Sequence, residues 1–479
     1  MGRKMTEYPD LQLYIGGHWK SAPGQPVINP ADESVIATVP TATRSDLDAA
    51  LGAAHEGLGT WSKTSPAKRA QVILKAVALM RERVEPMAIA MTLEQGKPIA
   101  QSRLEILRGC EIIEWDAAEG RRTYGRVIPS EPGIRHTVLR QPIGVVAAFS
   151  PWNFPMSSPA RKVGGALSAG CSIILKASEE TPAGAVQLVQ AFHDAGLPPG
   201  VLNLVFGRPA EISEYLVPHK TVRLVTFTGS IPVGKTLAEM AARHMKPAIM
   251  ELGGHAPVIV CDDVDPVATA ATSVTGKTRN AGQVCVSPTR FFVQEAIYQD
   301  FTAAFAEKAR AVKVGDGLDP ESQMGPLANH RRIETMEAMI ADARAKGARL
   351  LAGGSRIGNR GYYFPLTVLA DLPDDARAMH EEPFGPLALV NPVKSLDEAI
   401  EKANALPYGL AAYAFTRSAR NADRLADGVE AGNLSINNFV ASIAETPFGG
   451  VKESGYGREG GTEGLQHYTV VKNVSHLMM

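Results

Sequence analysis

The stretches IGVVAAFSPWNFP, Ile143 to Pro155, and SIILKASEETP, Ser172 to Pro182, decide how this chain folds. Each opens with a short unbroken apolar run and ends in polar residues and proline, the pattern of a buried strand running into a loop. Between them, Pro159 to Ala169 has helical texture. Beyond them the same alternation continues: helix from Thr181 to Ala195, strand from Val201 to Phe206, a helix starting near Pro209, strand from Arg223 to Phe227, helix from Ile231 to Arg243. Gly170, Gly196, Gly200 and Gly207 punctuate the units. Strand and helix alternating every ~25–30 residues predict βαβ units and a parallel sheet. Ligands of such sheets bind beyond the carboxyl ends of the strands, where the polar ends of both stretches fall.

On the N-terminal side, residues 66 to 120 read as helical, with Val72, Ile73, Ala76, Val77 and Met80 at helical spacing. On the other side a second alternating block runs from Pro257 to about Leu434. It has strands at Pro257–Val260, Arg290–Val293 and Leu387–Val390 and helices at Tyr298–Val312 and Arg331–Lys346. Residues 120 to 142, rich in Arg, Thr, Val and Pro, and a strand-like tail from Tyr468 to Val474 read as extended edges that pair with another subunit. At 479 residues the chain exceeds one hydrophobic core, so two or three domains are expected.

Composition narrows the function. With 49 basic against 50 acidic residues, the chain has no general attraction to nucleic acid or anionic membrane. No apolar run is long enough to span a bilayer, and no signal-peptide core is read, so a cytoplasmic protein is expected. Gly2 with Thr6 fits a myristoylation pattern only formally. The four cysteines, Cys110, Cys171, Cys261 and Cys285, are scattered. They suggest neither a disulfide framework nor zinc ligation.

Several short motifs can carry chemistry. Asn153, at a strand end, can donate to a developing oxyanion or simply bond its own backbone in a turn. Lys176 and Glu179 end the next strand; Glu179 can accept two ribose hydroxyls or merely favour a helix start. In FTGSIPVGK, Phe227 to Lys235, Gly229 allows close backbone approach, and the amides of the following helix can face a pyrophosphate. The spacing is not that of a Walker A loop. Glu251, after an apolar run and before two glycines, is a general base if burial raises its pKa, or else a surface carboxylate. Cys285 follows a glycine turn and can be exposed and activated as a thiolate, or be an inert buried thiol. Gly455, Gly457 and Gly460 match GxGxxG by letter, but no strand-like run leads in, so the segment reads as a loop.

Together and in order, these motifs resemble the aldehyde dehydrogenase superfamily over nearly the whole chain. They are Pro-Trp-Asn-Phe-Pro, Glu-Leu-Gly-Gly at Glu251–Gly254, Gly-Gln-x-Cys at Gly282–Cys285, Glu-Glu-Pro-Phe-Gly-Pro at Glu381–Pro386, and the segment Pro447–Gly455. The resemblance implies an α/β fold with a Rossmann-type cofactor domain (1–119 and 143–252), an α/β catalytic domain (253–440) and a β oligomerisation arm (120–142 and 466–479). It implies Cys285 as nucleophile, Asn153 with the Cys285 amide as oxyanion donors, Glu251 as the base for thioester hydrolysis and Lys162 as an electrostatic aid. Cofactor contacts are implied at Trp152, Lys176, Ser178, Glu179, Gly229, Ser230, Glu382 and Phe384. NAD is favoured, because the Glu179 carboxylate repels a 2′-phosphate, while NADP stays possible. A homodimer or homotetramer is expected.

Within the family the chain looks most like succinate-semialdehyde dehydrogenases. Arg161, Arg279 and Ser442 match residues that bind the distal carboxylate there, a role that suits the arginine fork; structural ion pairs are the alternative role for the arginines. Ser287 stands where that branch often has a second, redox-active cysteine. The segments Met156–Pro159 and Asn437–Ala441 depart from the usual pattern. A longer semialdehyde, an aromatic or aliphatic aldehyde, acyl transfer to coenzyme A, and a non-catalytic family member are the alternatives; Glu251 favours hydrolysis over coenzyme A transfer.

Overall fold

A computed structural model describes residues 8–478, so the formal myristoylation pattern at Gly2 and Thr6 lies outside the described residues. Five short strands rich in Val, Ile, Leu and Ala form the parallel centre of an eight-stranded sheet. Val145–Phe149 lies between Ser172–Lys176 and Val222–Thr228, with Leu202–Val205 and Ala248–Glu251 outside them. Almost every residue of these strands is buried, as expected when helices cover both faces. The register aligns the carboxyl ends: Phe149 pairs with Lys176 and with Phe227, and Thr228 with Glu251. One edge of the sheet therefore presents, side by side, the loop carrying Asn153, the Lys176 turn, Gly229 and Glu251.

The helical stretch from 66 is three helices, Pro66–Glu82, Val84–Gln95 and Ile99–Gly120. The last break has a local cause. Gly96 adopts a left-handed φ of 89°, and Pro98 then caps the next helix. The first begins where the sequence says it should, with Pro66 in its first turn and the Ser65 hydroxyl accepting from the Lys68 amide.

A second, seven-stranded sheet is built on Pro257–Val260, Arg290–Gln294 and Leu387–Val393. It continues through Thr367–Ala370 on one side and Ala411–Phe415 and Asn433–Ile436 on the other, and ends in the antiparallel Arg349–Ala352. It has its own core, with Phe291, Phe301, Phe305 and Tyr413 at the centre. The extended segment and the tail form a third sheet. Thr469–Leu477 runs antiparallel to Ile134–Pro142 along its whole length, and Arg126–Ile128 adds the edge.

The GxGxxG look-alike is mostly loop but contributes one short strand. Gly455–Tyr456 pairs antiparallel with Met250 and Glu251 on the edge of the first sheet. A Cβ at Gly455 would sit 1.8 Å from the Met250 carbonyl oxygen, so only glycine fits. Through this strand, chain beyond residue 440 returns to the first body and brings Arg458 and Glu459 behind Glu251. Among the described residues no helix is long and apolar enough to cross a membrane.

Candidate active site

A cavity of about 420 Å³ opens where the carboxyl ends of the first sheet face the second body. Trp152, Asn153, Arg161, Gly229, Ser230, Glu251, Arg279, Cys285, Glu382, Phe384 and Ser442 all line it. Lys162, Lys176, Ser178 and Glu179 do not; they stand behind or beside it.

Cys285 sits on a strained turn. Asn280, Ala281 and Gly282 take left-handed φ values of 48°, 51° and 71° in succession. Asparagine and glycine tolerate this conformation, whereas Ala281 carries strain of about 1–3 kcal/mol. A Cβ at Gly282 would lie 2.1 Å from the Gly385 carbonyl oxygen. Gln283 is buried and bonded at both ends of its amide, donating to the Asn280 carbonyl (3.1 Å) and accepting from the Ala328 amide (2.9 Å). The Gly-Gln-x-Cys spacing is thus a turn that must be glycine followed by a clamp that must be glutamine.

Asn153 is fixed against the same turn. Its side-chain amide donates to the Gln283 carbonyl at 3.1 Å, which leaves a second N–H for a ligand oxygen. Its own carbonyl accepts from Lys97 (2.8 Å) and Asn280 (3.0 Å). Lys97 is fully buried and ion-paired with Glu105, whose other oxygen accepts from the Met156 amide at 2.9 Å. This bracing pair was not read from the sequence. Lys and Glu on helical stretches normally mark solvated faces, and nothing in their spacing announces burial.

Three acidic groups set the electrostatics. Glu251 is buried, and neither carboxyl oxygen has a protein hydrogen-bond partner. Burial first, then the neighbouring Glu459, hold its pKa well above the usual carboxylate range, while Lys162, Arg161 and Arg458 pull the other way. Glu382 accepts from the Gly254 amide at 3.1 Å and is pushed up to about 8, mainly by burial. Cys285 is only partly exposed; burial, Glu382 and Glu251 push its thiol up to about 12, opposed by Arg279 and the Val286 amide. Two carboxyl groups thus oppose ionisation of the sulfur, and the Arg279 guanidinium and the Val286 amide favour it.

Lys162 stands behind the cavity wall and not on it. It is wholly buried, 2.7 Å from Glu459 and 2.8 and 3.2 Å from the Thr228 and Thr226 hydroxyls. Its ion-pair partner Glu459 is a cavity-lining residue that the sequence reading left inside a featureless loop, and both charges act on Glu251. Lys176 and Glu179 form an ion pair at 2.6 Å, and Glu179 also accepts from the Gly207 amide at 2.9 Å. Ser178 accepts from the Glu180 amide at 3.2 Å. Ser287 accepts from the buried Lys277 at 3.0 Å.

The remaining residues fit a dinucleotide. Ser230 precedes the helix Ile231–Arg243 and its hydroxyl caps nothing, so the first-turn amides and the hydroxyl stay open to a phosphate. A Cβ at Gly253 would lie 2.5 Å from a Glu382 carboxyl oxygen, so the Gly-Gly pair makes room for that carboxylate in the cavity. Trp152 and Phe384 meet edge to face at 5.5 Å on the same wall. Arg161 donates to the Ser442 hydroxyl at 3.3 Å and lies over the Phe448 ring, and Arg279 lies over the Phe154 ring. Neither arginine makes an ion pair among the described residues, which disfavours a purely structural role for them. No group of metal-ligating side chains occurs among the described residues.

This combination of two parallel-sheet bodies and a cysteine facing a dinucleotide crevice is that of an aldehyde-oxidising enzyme. The chain belongs to the aldehyde dehydrogenase family, whose model it matches over residues 19–474, and it is an NAD(P)-dependent aldehyde dehydrogenase. It is 47% identical to 4-(hydroxymethyl)benzenesulfonate dehydrogenase of Comamonas testosteroni, over 96% of this chain and 97% of that one. It is 39% identical to 3-sulfolactaldehyde dehydrogenase of Pseudomonas putida, over 97% and 96% of the two chains. The crystal structure of succinate-semialdehyde dehydrogenase from Burkholderia pseudomallei superposes with a TM-score of 0.96 at 38% identity, covering 98% of both chains.

Proposed function

We propose that this enzyme oxidises an aldehyde bearing a remote acid group, an acid semialdehyde such as succinate semialdehyde, to the carboxylate through a thioester on Cys285. One observation carries the reading: Cys285, Asn153 and Glu251 border the same cavity as Arg161, Arg279 and Ser442, and the two arginines lack a carboxylate partner among the described residues. A desolvated guanidinium without an anion is costly, so a substrate acid completes the site. Relatives named for succinate semialdehyde and 3-sulfolactaldehyde are consistent with a small aldehyde that carries an anion.

The Cys285 thiol releases its proton to water, its sulfur attacks the aldehyde carbon, and the free N–H of Asn153 together with the Cys285 amide stabilises the oxyanion. Bound NAD(P) supplies the two-electron acceptor for the hydride released as the adduct collapses to the thioester. Glu251 takes a proton from the water that opens this thioester, releasing the acid and the thiol. Attack speeds up as pH rises, because burial, Glu382 and Glu251 keep the thiol protonated. Trp152, Gly229, Ser230, Glu382 and Phe384 hold the cofactor along the cavity, and Lys176, Ser178 and Glu179 hold its outer ribose. NAD is the preferred form: Glu179 opposes a 2′-phosphate, and the Lys176 ion pair weakens that opposition enough for slower use of NADP. Lys162 acts through Glu459 as a positioning residue.

The first body carries the dinucleotide, the second the nucleophile, and the arm joins copies of the chain into a homodimer or homotetramer. Support for the arm comes from Val127, Val471 and Leu477, all more than half exposed on the third sheet. A reduced catalytic thiol suits the cytoplasm.

The test is an assay of NADH formation. Cys285→Ala abolishes it. Arg161→Ala or Arg279→Ala raises KM for succinate semialdehyde about 10- to 100-fold more than for a neutral aldehyde of the same length. Equal effects on both substrates refute the carboxylate clamp, and turnover that requires coenzyme A refutes hydrolysis.

A further inference from the structure

Four arginines line the cavity; Arg332 stands beside Glu382, and the other three exceed what one carboxylate can use. Arg108, from the helix Ile99–Gly120, lines it together with Arg161 and Arg279. Its side chain is half-buried and makes neither a hydrogen bond nor an ion pair among the described residues. Glu111 borders the same mouth but is exposed and forms no ion pair with it. The arrangement is unfavourable when empty of anions. After burial, the charge of Arg108 is the chief influence pressing the Arg279 guanidinium below its ordinary pKa, and one Arg161 nitrogen is buried without any partner. Three guanidiniums lining one cavity mark a ligand group that is anionic and offers several acceptor oxygens.

A carboxylate offers two oxygens in a plane, and two arginine forks saturate it. A third fork would then stay unpaired and repel its neighbours. A sulfonate offers three oxygens arranged as a pyramid, one for each guanidinium. The walls add a second preference. Phe154 and Phe448 lie under Arg279 and Arg161 at 5.2 and 5.0 Å, and Ile112 and Ile443 also face the cavity. That apolar lining is more than the two methylenes of a short semialdehyde cover, whereas the faces of an aromatic ring match it.

We propose that Arg108, Arg161 and Arg279 form a three-sided anion subsite selecting aldehydes that carry a sulfonate on an aromatic ring, with Arg108 reading the third oxygen. This inference rests on the dehydrogenase chemistry assigned to Cys285 and replaces the planar acid group of the substrate with a pyramidal one.

Four aldehydes separate the possibilities: 4-formylbenzenesulfonate, 4-formylbenzoate, benzaldehyde and succinate semialdehyde, each assayed with wild type, Arg108→Ala, Arg108→Lys and Arg161→Ala. Wild type is expected to use the sulfonate at least about 10-fold better in kcat/KM than the carboxylate on the same ring. Arg108→Ala should lower kcat/KM for the sulfonate about 10- to 100-fold more than for benzaldehyde, chiefly through KM. Arg108→Lys should recover part of that loss, and Arg161→Ala should impair sulfonate and carboxylate alike. Equal use of sulfonate and carboxylate by wild type, or equal losses on all ring aldehydes in Arg108→Ala, overturns the subsite while leaving the acid-semialdehyde reading intact. Failure of wild type to oxidise any of the four overturns that reading, and the subsite with it.

Discussion

Replacing Glu459 with Gln separates two roles for the buried charges behind Glu251. Glu459 and Lys162 are 2.7 Å apart, with side chains 3% and 0% exposed, and Lys162 keeps the Thr228 and Thr226 hydroxyls at 2.8 and 3.2 Å if the carboxylate is lost. The amide preserves an acceptor for the lysine, so Glu459→Gln should destabilise by about 1–3 kcal/mol. Lys162→Met instead leaves a buried carboxylate unpaired and should cost about 3–5 kcal/mol. The double variant removes both charges and should be more stable than the sum of the two losses predicts, by about 2 kcal/mol. Shifts of urea midpoints at one protein concentration measure all three. The pH profile gives an independent sign. Glu459 raises the Glu251 pKa and Lys162 lowers it, so Glu459→Gln should move the acid limb of kcat to lower pH. Additive stabilities, with an unmoved limb and kcat reduced equally at every pH, would show that Lys162 acts directly on the reacting atoms, and the positioning argument would fail.

Other outcomes are fixed by the same geometry. Glu251→Gln should keep a pre-steady-state burst of NADH but lower steady-state turnover by about 10²–10⁴-fold, because only thioester hydrolysis needs the base; loss of the burst as well would place Glu251 earlier in the reaction. Glu94 is buried at the start of the helix Ala183–Asp194, accepts from the Ala183 amide at 2.9 Å and is pushed from 4.5 up to about 8 by burial. The folded chain therefore binds a proton there that the unfolded chain releases. The contribution to stability is full below pH 4.5 and lost as pH rises through about 8, and Glu94→Gln should flatten that decline in melting temperature.

The sequence reveals what depends on periodicity and on glycine. The apolar runs locate four of the five parallel strands of the first sheet within a residue or two, whereas Leu387–Val390 stops three short of Val393, and the order of the motifs places Asn153, Glu251 and Cys285 on one cavity. What it hides is burial of charge. Lys97 and Glu105 look like solvent-facing helix residues but lock Asn153 in place, and Arg108 looks equally ordinary. Lys162 matches a family position near the reacting centre, but its ion pair with Glu459, 297 residues further along the chain, is not legible in the sequence. The break at Gly96 and Pro98 was visible locally but masked by the helical spacing on both sides.

The edge strand Gly455–Tyr456 ties completion of the site to the order of synthesis. Glu459 meets Lys162 across 297 residues of chain, so a nascent polypeptide that has already built the nucleophile turn and the dinucleotide crevice still lacks the partner of a buried lysine. Until the last segment emerges and zips onto Met250 and Glu251, that cation is uncompensated and the first sheet has a raw edge. A ribosome stalled after the second body would thus display an assembled but inactive enzyme, open to proteases at the place where catalysis is later finished.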